Sequence, residues 1–224
     1  MKDKLQVIIM DDHQGIVDGY RYRLGMEPKI EVVAALSYGN ELEAALKENP
    51  ADVLILDVEV PIAPNNSNLY PILHTIPKLL QQYPELRILV ISVHGEPSLI
   101  RAIVNAGATG YILKGDSGRI QELGKWVFRL VNGELCFSEK ALEALVGRKD
   151  SPFTARQLQA LSLCAAYPNS KTADLARQME IADSTLRNML STIYFKLDVQ
   201  TRAAAIAKAR QMGILTPDPT VPQL

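Results

Sequence analysis

The sequence predicts an α/β domain built on a doubly wound parallel sheet, followed by a small all-α domain. Over residues 1–132, short runs of Val, Ile and Leu without polar alternation are separated by segments with helical spacing. Such runs are typical of strands buried on both faces of a parallel sheet. Beyond residue 152 only helical patterns continue. We expect five strands in the order 2-1-3-4-5, at residues 5–10, 30–36, 53–56, 88–91 and 110–113.

The chain divides into four predicted parts. Residues 1–132 form the α/β domain and 133–152 a linker, because the linker is polar and carries Gly and Pro. Residues 153–213 form the helical domain, which begins with capping-box spacing from Thr154 to Gln157. Residues 214–224 are Pro-rich and are expected to be a disordered tail. A Pro- and Asn-rich loop at 61–68 reads as an insertion.

Composition excludes several classes of protein. Two cysteines without a CxxC pair argue against a disulfide scaffold and a zinc site, and indicate a reducing cytoplasm. The apolar run at 5–10 is too short for a signal sequence or a membrane span. The net charge is −1, with a slight basic excess after residue 150. This asymmetry is compatible with nucleic-acid binding and equally with chance variation of surface charge.

Polar residues stand at the carboxyl ends of the predicted strands. Asp11 and Asp12 follow the first strand, Asp57 follows the third, Ser92 ends the fourth and Lys114 follows the fifth. Open α/β sheets bind ligands at this edge. Three neighbouring carboxylates repel one another unless a cation compensates, and all-oxygen ligands suit Mg²⁺. With a hydroxyl and an ammonium opposite, the set forms a phosphoryl cradle in which Asp57 is the nucleophile that forms an acyl phosphate.

Each of these residues has a simpler interpretation when taken alone. An Asp pair after a strand is most often a turn or a helix cap, and a single Lys or Ser there is usually solvated surface. Their joint occurrence at successive strand ends favours the phosphoryl-acceptor interpretation. His13 and His94 lack a nucleophile in a triad arrangement, so we interpret both as rim residues.

The first domain resembles the receiver domains of two-component response regulators, specifically the NarL/LuxR type. The motifs are Ile-Ile-Met-Asp-Asp-His at 8–13 and Ala-Gly-Ala-Thr-Gly-Tyr-Ile-Leu-Lys at 106–114. The resemblance implies phosphorylation of Asp57 by a sensor histidine kinase. It implies Mg²⁺ held directly by Asp12, Asp57 and the Glu59 backbone carbonyl, and by Asp11 through water. It also implies that Tyr111 is a switch that turns inward when Ser92 moves toward the phosphoryl group.

The C-terminal part resembles the LuxR-type helix-turn-helix, in motifs at 153–158, 174–176, 184–187, 196–197 and 201–203. The resemblance implies that the helix from 184 enters the major groove of DNA, with contacts from Thr185, Arg187, Asn188, Ser191 and Lys196. The alternative interpretation, without DNA binding, is a solvated polar face on a packed helix.

Several positions depart from the family pattern. Val93 stands where receivers carry a smaller residue, and the loop at 61–68 lacks their Gly-rich turn. The segment 171–174 is one residue longer than is typical, and Met189 replaces a common His.

The sequence as a whole predicts a phosphorylation-regulated transcriptional regulator rather than an enzyme. The predicted partners are a kinase, promoter DNA and, when phosphorylated, a second copy of the chain. Two alternatives stay open. One is a signalling adaptor whose helical domain binds protein. The other is an aspartate-nucleophile phosphatase, in which Glu59 would stand in the place of the general acid.

Overall fold

The computed structural model describes residues 4–146 and 151–217. A parallel sheet flanked by helices is followed by a helical domain. The strands are β1 Leu5–Met10, β2 Ile30–Leu36, β3 Val53–Leu56, β4 Pro61–Ala63, β5 Asn66–Leu69, β6 Arg87–Ser92, β7 Gly110–Leu113 and β8 Cys136–Phe137. The α/β part has helices α1 Gln14–Gly25, α2 Leu42–Glu48, α3 Ile72–Gln82, α4 Pro97–Ala106, α5 Ser117–Gln121 and α6 Leu123–Val131. The later helices are α7 Glu139–Val146, α8 Ala155–Ala166, α9 Thr172–Gln178, α10 Asp183–Leu197 and α11 Arg202–Gln211.

The main sheet has the order β2-β1-β3-β6-β7-β8, and every pair in it is parallel. Its first five members are the predicted strands in the predicted 2-1-3-4-5 order, so the doubly wound topology is confirmed. All four residues of β3 are buried, which explains why the strand lacks polar alternation. Two clusters of buried apolar side chains lie on the opposite faces of the sheet.

Within the described residues the main sheet has six strands, one more than the five predicted. The segment predicted as linker contributes β8, which pairs with the outer edge of β7. Cys136 donates its N–H to the carbonyl of Thr109, and Ser138 donates to the carbonyl of Tyr111, both across this edge. Cys136 and Phe137 are buried by the pairing. The extra strand therefore covers part of the edge that β7 would otherwise expose.

The rest of the predicted linker is partly helical. Helix α7 packs on α4, and Arg101 Nη1 donates to the carbonyl of Ala144 at 2.7 Å. Residues 147–150 of the linker and 218–224 of the predicted tail lie outside the described residues. Ile214 and Leu215, at the start of that tail, are buried. The domain boundaries at 132, 152 and 213 stay predictions.

The Pro- and Asn-rich loop is a small antiparallel hairpin of β4 and β5 and was wrongly predicted to lack strands. Pro61 pairs with Leu69, and Ala63 pairs with Asn66. Asn66 Oδ1 accepts the Asn68 N–H at 3.1 Å, an Asx-type bond at the start of β5.

Local sequence also fixes the helices beside the sheet. Pro97 starts α4, and Gly107 ends it with φ of +119°. A side chain at 107 would be strained by that φ and would meet Leu80, so glycine is required there.

The helical domain packs on the α/β part. Its helix α8 lies against α3, and one cluster of buried side chains runs through both, including Leu73, Phe153 and Leu158. Within the described residues, each helix is too short or too polar to cross a bilayer.

The capping box of α8 is confirmed, because the Thr154 hydroxyl accepts from the Gln157 N–H and the Gln157 side chain accepts from the Thr154 N–H. We expect Thr154→Ala to lower the free energy of unfolding by about 1 kcal/mol, because an N–H of the first turn loses its acceptor. Urea unfolding followed by circular dichroism measures the change. Thr154→Ser keeps the acceptor and is the matched control. Equal losses in both variants would contradict this role of the hydroxyl.

Candidate functional site

The strand ends bring the predicted polar residues together in one buried cluster. Lys114 Nζ lies 2.8 Å from Asp57 Oδ2 and 2.9 Å from Asp11 Oδ2. Asp11 and Asp57 are each only 2% exposed. The ladder continues past the strands, because Asp57 N donates to the Met10 carbonyl and Asp11 N to the Leu36 carbonyl. This backbone registration holds both carboxylates at the same edge.

Burial and the neighbouring Lys114 charge have opposite effects on the pKa of Asp57. Burial raises the pKa of the Asp57 carboxyl, while the Lys114 ammonium and the Val58 N–H, which donates to Oδ1 at 2.7 Å, oppose the rise. Burial alone would lower the pKa of Lys114, but Asp57 and Asp11 raise it. The ammonium therefore stays charged, and it is the cation that makes two buried carboxylates tolerable.

A group of potential metal ligands surrounds Asp57. One ligand atom each from Asp11, Asp12, His13 and Asp57 lies within 4.8 Å of the others. Asp12 and His13 are exposed, so the group opens to solvent on their side. Three carboxylates in this space suit a hard cation such as Mg²⁺. His13 Nδ1 lies 2.9 Å from Asp12 Oδ1, which places this rim residue in contact with the predicted ligands.

The predicted switch residues meet at His94. The backbone N–H of His94 donates to Ser92 Oγ at 3.1 Å. The Tyr111 hydroxyl donates to the carbonyl of His94 at 2.6 Å, and Tyr111 is fully buried. Tyr111 therefore occupies the inward position here. Val93 is 56% exposed, so it lies at the rim and does not fill the pocket.

The side chain of His94 also contacts the loop that follows Asp57. His94 Nε2 lies 3.1 Å from Glu59 Oε1, and His94 is buried. The neighbouring His94 imidazole lowers the pKa of Glu59. Burial would lower the pKa of His94, but Glu59 raises it. The contact between His94 and Glu59 was not predicted from the sequence. The only signal for it in the sequence was an acidic residue and a histidine, each two positions beyond a strand-end site residue.

The polar face of α10 is exposed. Thr185, Arg187, Asn188 and Ser191 all lie on it, and Arg187 forms an ion pair with Asp183 one turn earlier. Lys196 differs from the other predicted DNA contacts. Its ammonium donates to the Pro152 carbonyl at 2.6 Å and to Gln157 Oε1 at 2.9 Å, so it is occupied within its own domain.

The buried charge at Asp57 gives a pH-dependent prediction. A carboxyl with a raised folded-state pKa lowers the free energy of unfolding as the pH rises through that pKa. We therefore expect Asp57→Asn to be more stable than the wild type at pH 7 without Mg²⁺. The difference should vanish below about pH 3.5, where the carboxyl is protonated in both states.

Urea unfolding in EDTA across this pH range measures the effect. Asp18→Asn, which removes an exposed carboxylate on α1, is the control. A less stable Asp57→Asn at pH 7 would show that Lys114 outweighs burial.

Comparison with known proteins agrees with the fold. Residues 7–123 match the family model of the response regulator receiver domain. Transcriptional regulatory protein DegU of Brevibacillus brevis is 30% identical and covers 95% of both chains. A nitrate/nitrite response regulator protein homolog of Haemophilus influenzae is also 30% identical and covers 92% of this chain and 96% of its own. RcsB of Salmonella enterica serovar Typhimurium, in a structure bound to promoter rprA with phosphomimetic BeF3⁻, shares the fold with a TM-score of 0.62. The two sequences are 20% identical, and the match covers 92% of this chain and 98% of the RcsB chain. The chain belongs to the response regulators, as a phosphorylation-regulated transcriptional regulator of the NarL/DegU type with a receiver and a helical domain.

Proposed function

We propose that Asp57 accepts a phosphoryl group from a sensor histidine kinase with Mg²⁺ bound beside it, and that the helical domain then binds promoter DNA as a homodimer. The observation that carries the first part is the buried Asp57 carboxylate, bonded to Lys114 and flanked by two further carboxylates. A buried nucleophile with a fixed cation beside it is suited to bind and hold a transferred phosphoryl group.

The transfer forms a bond from an Asp57 carboxylate oxygen to phosphorus and breaks the phosphorus–nitrogen bond of the kinase phosphohistidine. Mg²⁺, held by Asp11, Asp12, Asp57 and the backbone carbonyl of Glu59, would neutralise charge on the phosphoryl oxygens. Lys114 exchanges its contact with the Asp57 oxygen for one with the phosphoryl group. Ser92 donates its hydroxyl to another phosphoryl oxygen while still accepting from His94 N.

Exposed polar side chains on α10 support the DNA-binding part. We retain Thr185, Arg187, Asn188 and Ser191 as direct contacts, and assign Lys196 the role of holding α10 against the start of α8. Arg187 is then the main cation on this face, so one domain binds weakly. Two domains on two half-sites multiply weak affinities through effective concentration, which favours a dimer on DNA.

The contact from His94 argues against the phosphatase alternative, because it keeps Glu59 ionised and engaged, whereas a general acid must carry a proton.

Acetyl phosphate with Mg²⁺ should add one acid-labile and base-labile phosphoryl group to the protein. Asp57→Asn should abolish the labelling, because it removes the nucleophilic oxygen, and Asp18→Asn should leave it unchanged. Intact mass spectrometry measures the adduct. Labelling that persists in Asp57→Asn or in EDTA would place the site elsewhere, and steady turnover of a phosphate ester would favour the phosphatase.

Arg187→Ala should weaken binding of duplex DNA by about 1–3 kcal/mol and change the preference at one base position, if the guanidinium contacts a base. Fluorescence titration at several salt concentrations with a set of promoter sequences measures both effects. Arg21→Ala, which removes an exposed cation of the receiver, is the control. An equal loss on every sequence would make Arg187 a phosphate contact, and no salt-dependent binding at all would favour the adaptor alternative.

A further inference from the structure

The second half of helix α10 exposes a large apolar side chain on a face that is otherwise polar. Phe195 is 87% exposed, more than any other large hydrophobic side chain within residues 4–146 and 151–217. With 3.6 residues per turn, Asn188, Ser191 and Phe195 follow one another along the same face of the helix. Phe195 therefore continues the surface assigned above to DNA contact.

The packing of α10 holds Phe195 in this exposed position. Ile193 and Leu197 lie on the opposite side of the helix and are buried in the core of the helical domain. The Lys196 ammonium is bonded to groups at the start of that domain. Because a rotation of the helix that buried Phe195 would expose Ile193 and Leu197, the phenyl ring stays in solvent.

The part of the face around Phe195 carries no free charge. The segment 191–195 contains no Lys, Arg, Asp or Glu. Ser191 Oγ donates to the Arg187 carbonyl and Thr192 Oγ1 to the Asn188 carbonyl, both at 3.0 Å, so neither hydroxyl hydrogen is available to a ligand. Contacts with DNA phosphates are made by cations and hydrogen-bond donors. This part of α10 is therefore poorly suited to a phosphate contact.

An apolar ring at this place suits an apolar group in the major groove. Among the base edges exposed there, the C5-methyl group of thymine is the apolar one, and phenylalanine is a side chain that contacts it. A single ring among polar residues is much smaller than the roughly 800 Å² that each partner buries in a stable protein interface. Phe195 lies seven residues beyond Asn188. This spacing is about 10 Å along the helix axis, or about three base pairs of DNA.

We propose that Phe195 is a specificity-determining residue, which selects a thymine through its C5-methyl group about three base pairs from the base that faces Asn188. The inference rests on the DNA binding proposed above and adds a base position that the polar residues of α10 do not read. The contact removes two apolar groups from water and neutralises no phosphate, so its contribution should change little with salt concentration.

Deoxyuridine differs from thymine only in lacking the methyl group, so it tests this contact directly. Selection from a pool of random duplexes by the full chain, with and without beryllofluoride and Mg²⁺, identifies a preferred duplex. Each thymine of that duplex is then replaced in turn by deoxyuridine. Fluorescence anisotropy titration gives the dissociation constant of each duplex.

One deoxyuridine replacement should weaken binding by the wild type about fourfold, the effect of one apolar methyl group left in water. Phe195→Ala should bind the thymine duplex at least about fourfold more weakly and should not distinguish it from the deoxyuridine duplex. Phe195→Leu keeps an apolar side chain and should retain part of the distinction. Val146→Ala removes another exposed apolar side chain, outside α10, and should leave both dissociation constants unchanged.

Thermal unfolding followed by circular dichroism should show the same midpoint for Phe195→Ala as for the wild type, because the side chain is exposed. Equal affinity of the wild type for thymine and deoxyuridine at every position would rule out the methyl contact. A deoxyuridine effect that persists in Phe195→Ala would assign that contact to another residue. A lower dimer fraction of Phe195→Ala without DNA, measured by sedimentation, would place Phe195 in a contact between copies of the chain instead.

These results separate the inference from the function on which it rests. If the full chain enriches no sequence from the pool, the DNA binding proposed above fails, and the inference fails with it. If the chain enriches a sequence but shows no deoxyuridine effect that depends on Phe195, the DNA binding stands and the inference alone fails.

Discussion

The buried ion cluster of Asp11, Lys114 and Asp57 is the constraint on which the rest of the receiver depends. Its members come from the ends of three different strands, so the cluster exists only if β1, β3 and β7 keep their order and register. One ammonium against two buried carboxylates, with Asp12 beside them, leaves an excess of negative charge. That excess of charge lowers the free energy of unfolding when no cation is bound, and it gives the cluster affinity for a cation. The same charge that destabilises the protein without a cation therefore favours binding of one.

His94 connects this cluster to the rest of the receiver. Its N–H donates to Ser92 Oγ, its carbonyl accepts the Tyr111 hydroxyl, and its imidazole contacts Glu59 in the loop after Asp57. Side chains of Ser92, Tyr111 and Glu59 thus all contact one buried residue, His94. A shift of any one of them must be accommodated by the others, because little free space surrounds close-packed side chains.

Prediction from sequence succeeded where a pattern has one physical cause. It failed where contacts with distant parts of the chain decide the local structure. Buried parallel strands require apolar runs, so the first five sheet strands and the polar residues at their ends were predictable. A strand as short as Cys136–Phe137 shows no periodicity, and the Pro and Asn content of the hairpin favours a loop. The direction of a long side chain is also not encoded locally. Lys196 sits on a polar helix face, yet its ammonium reaches back to Pro152.

The contact between the domains combines a weak polar part with a continuous apolar part. An exposed ion pair such as Lys78 with Glu180 contributes about 0–1 kcal/mol, and a neutral hydrogen bond such as Asn68 to Ala166 about 1 kcal/mol. The apolar contact of Leu73 with the α8 side favours docking but specifies its geometry poorly. A bias of about 3 kcal/mol is enough to change a two-state ratio more than a hundredfold. The two polar contacts together supply about 1–2 kcal/mol, so losing both would change the ratio of docked to released states about 5- to 30-fold, and the apolar contact accounts for the rest of the docking.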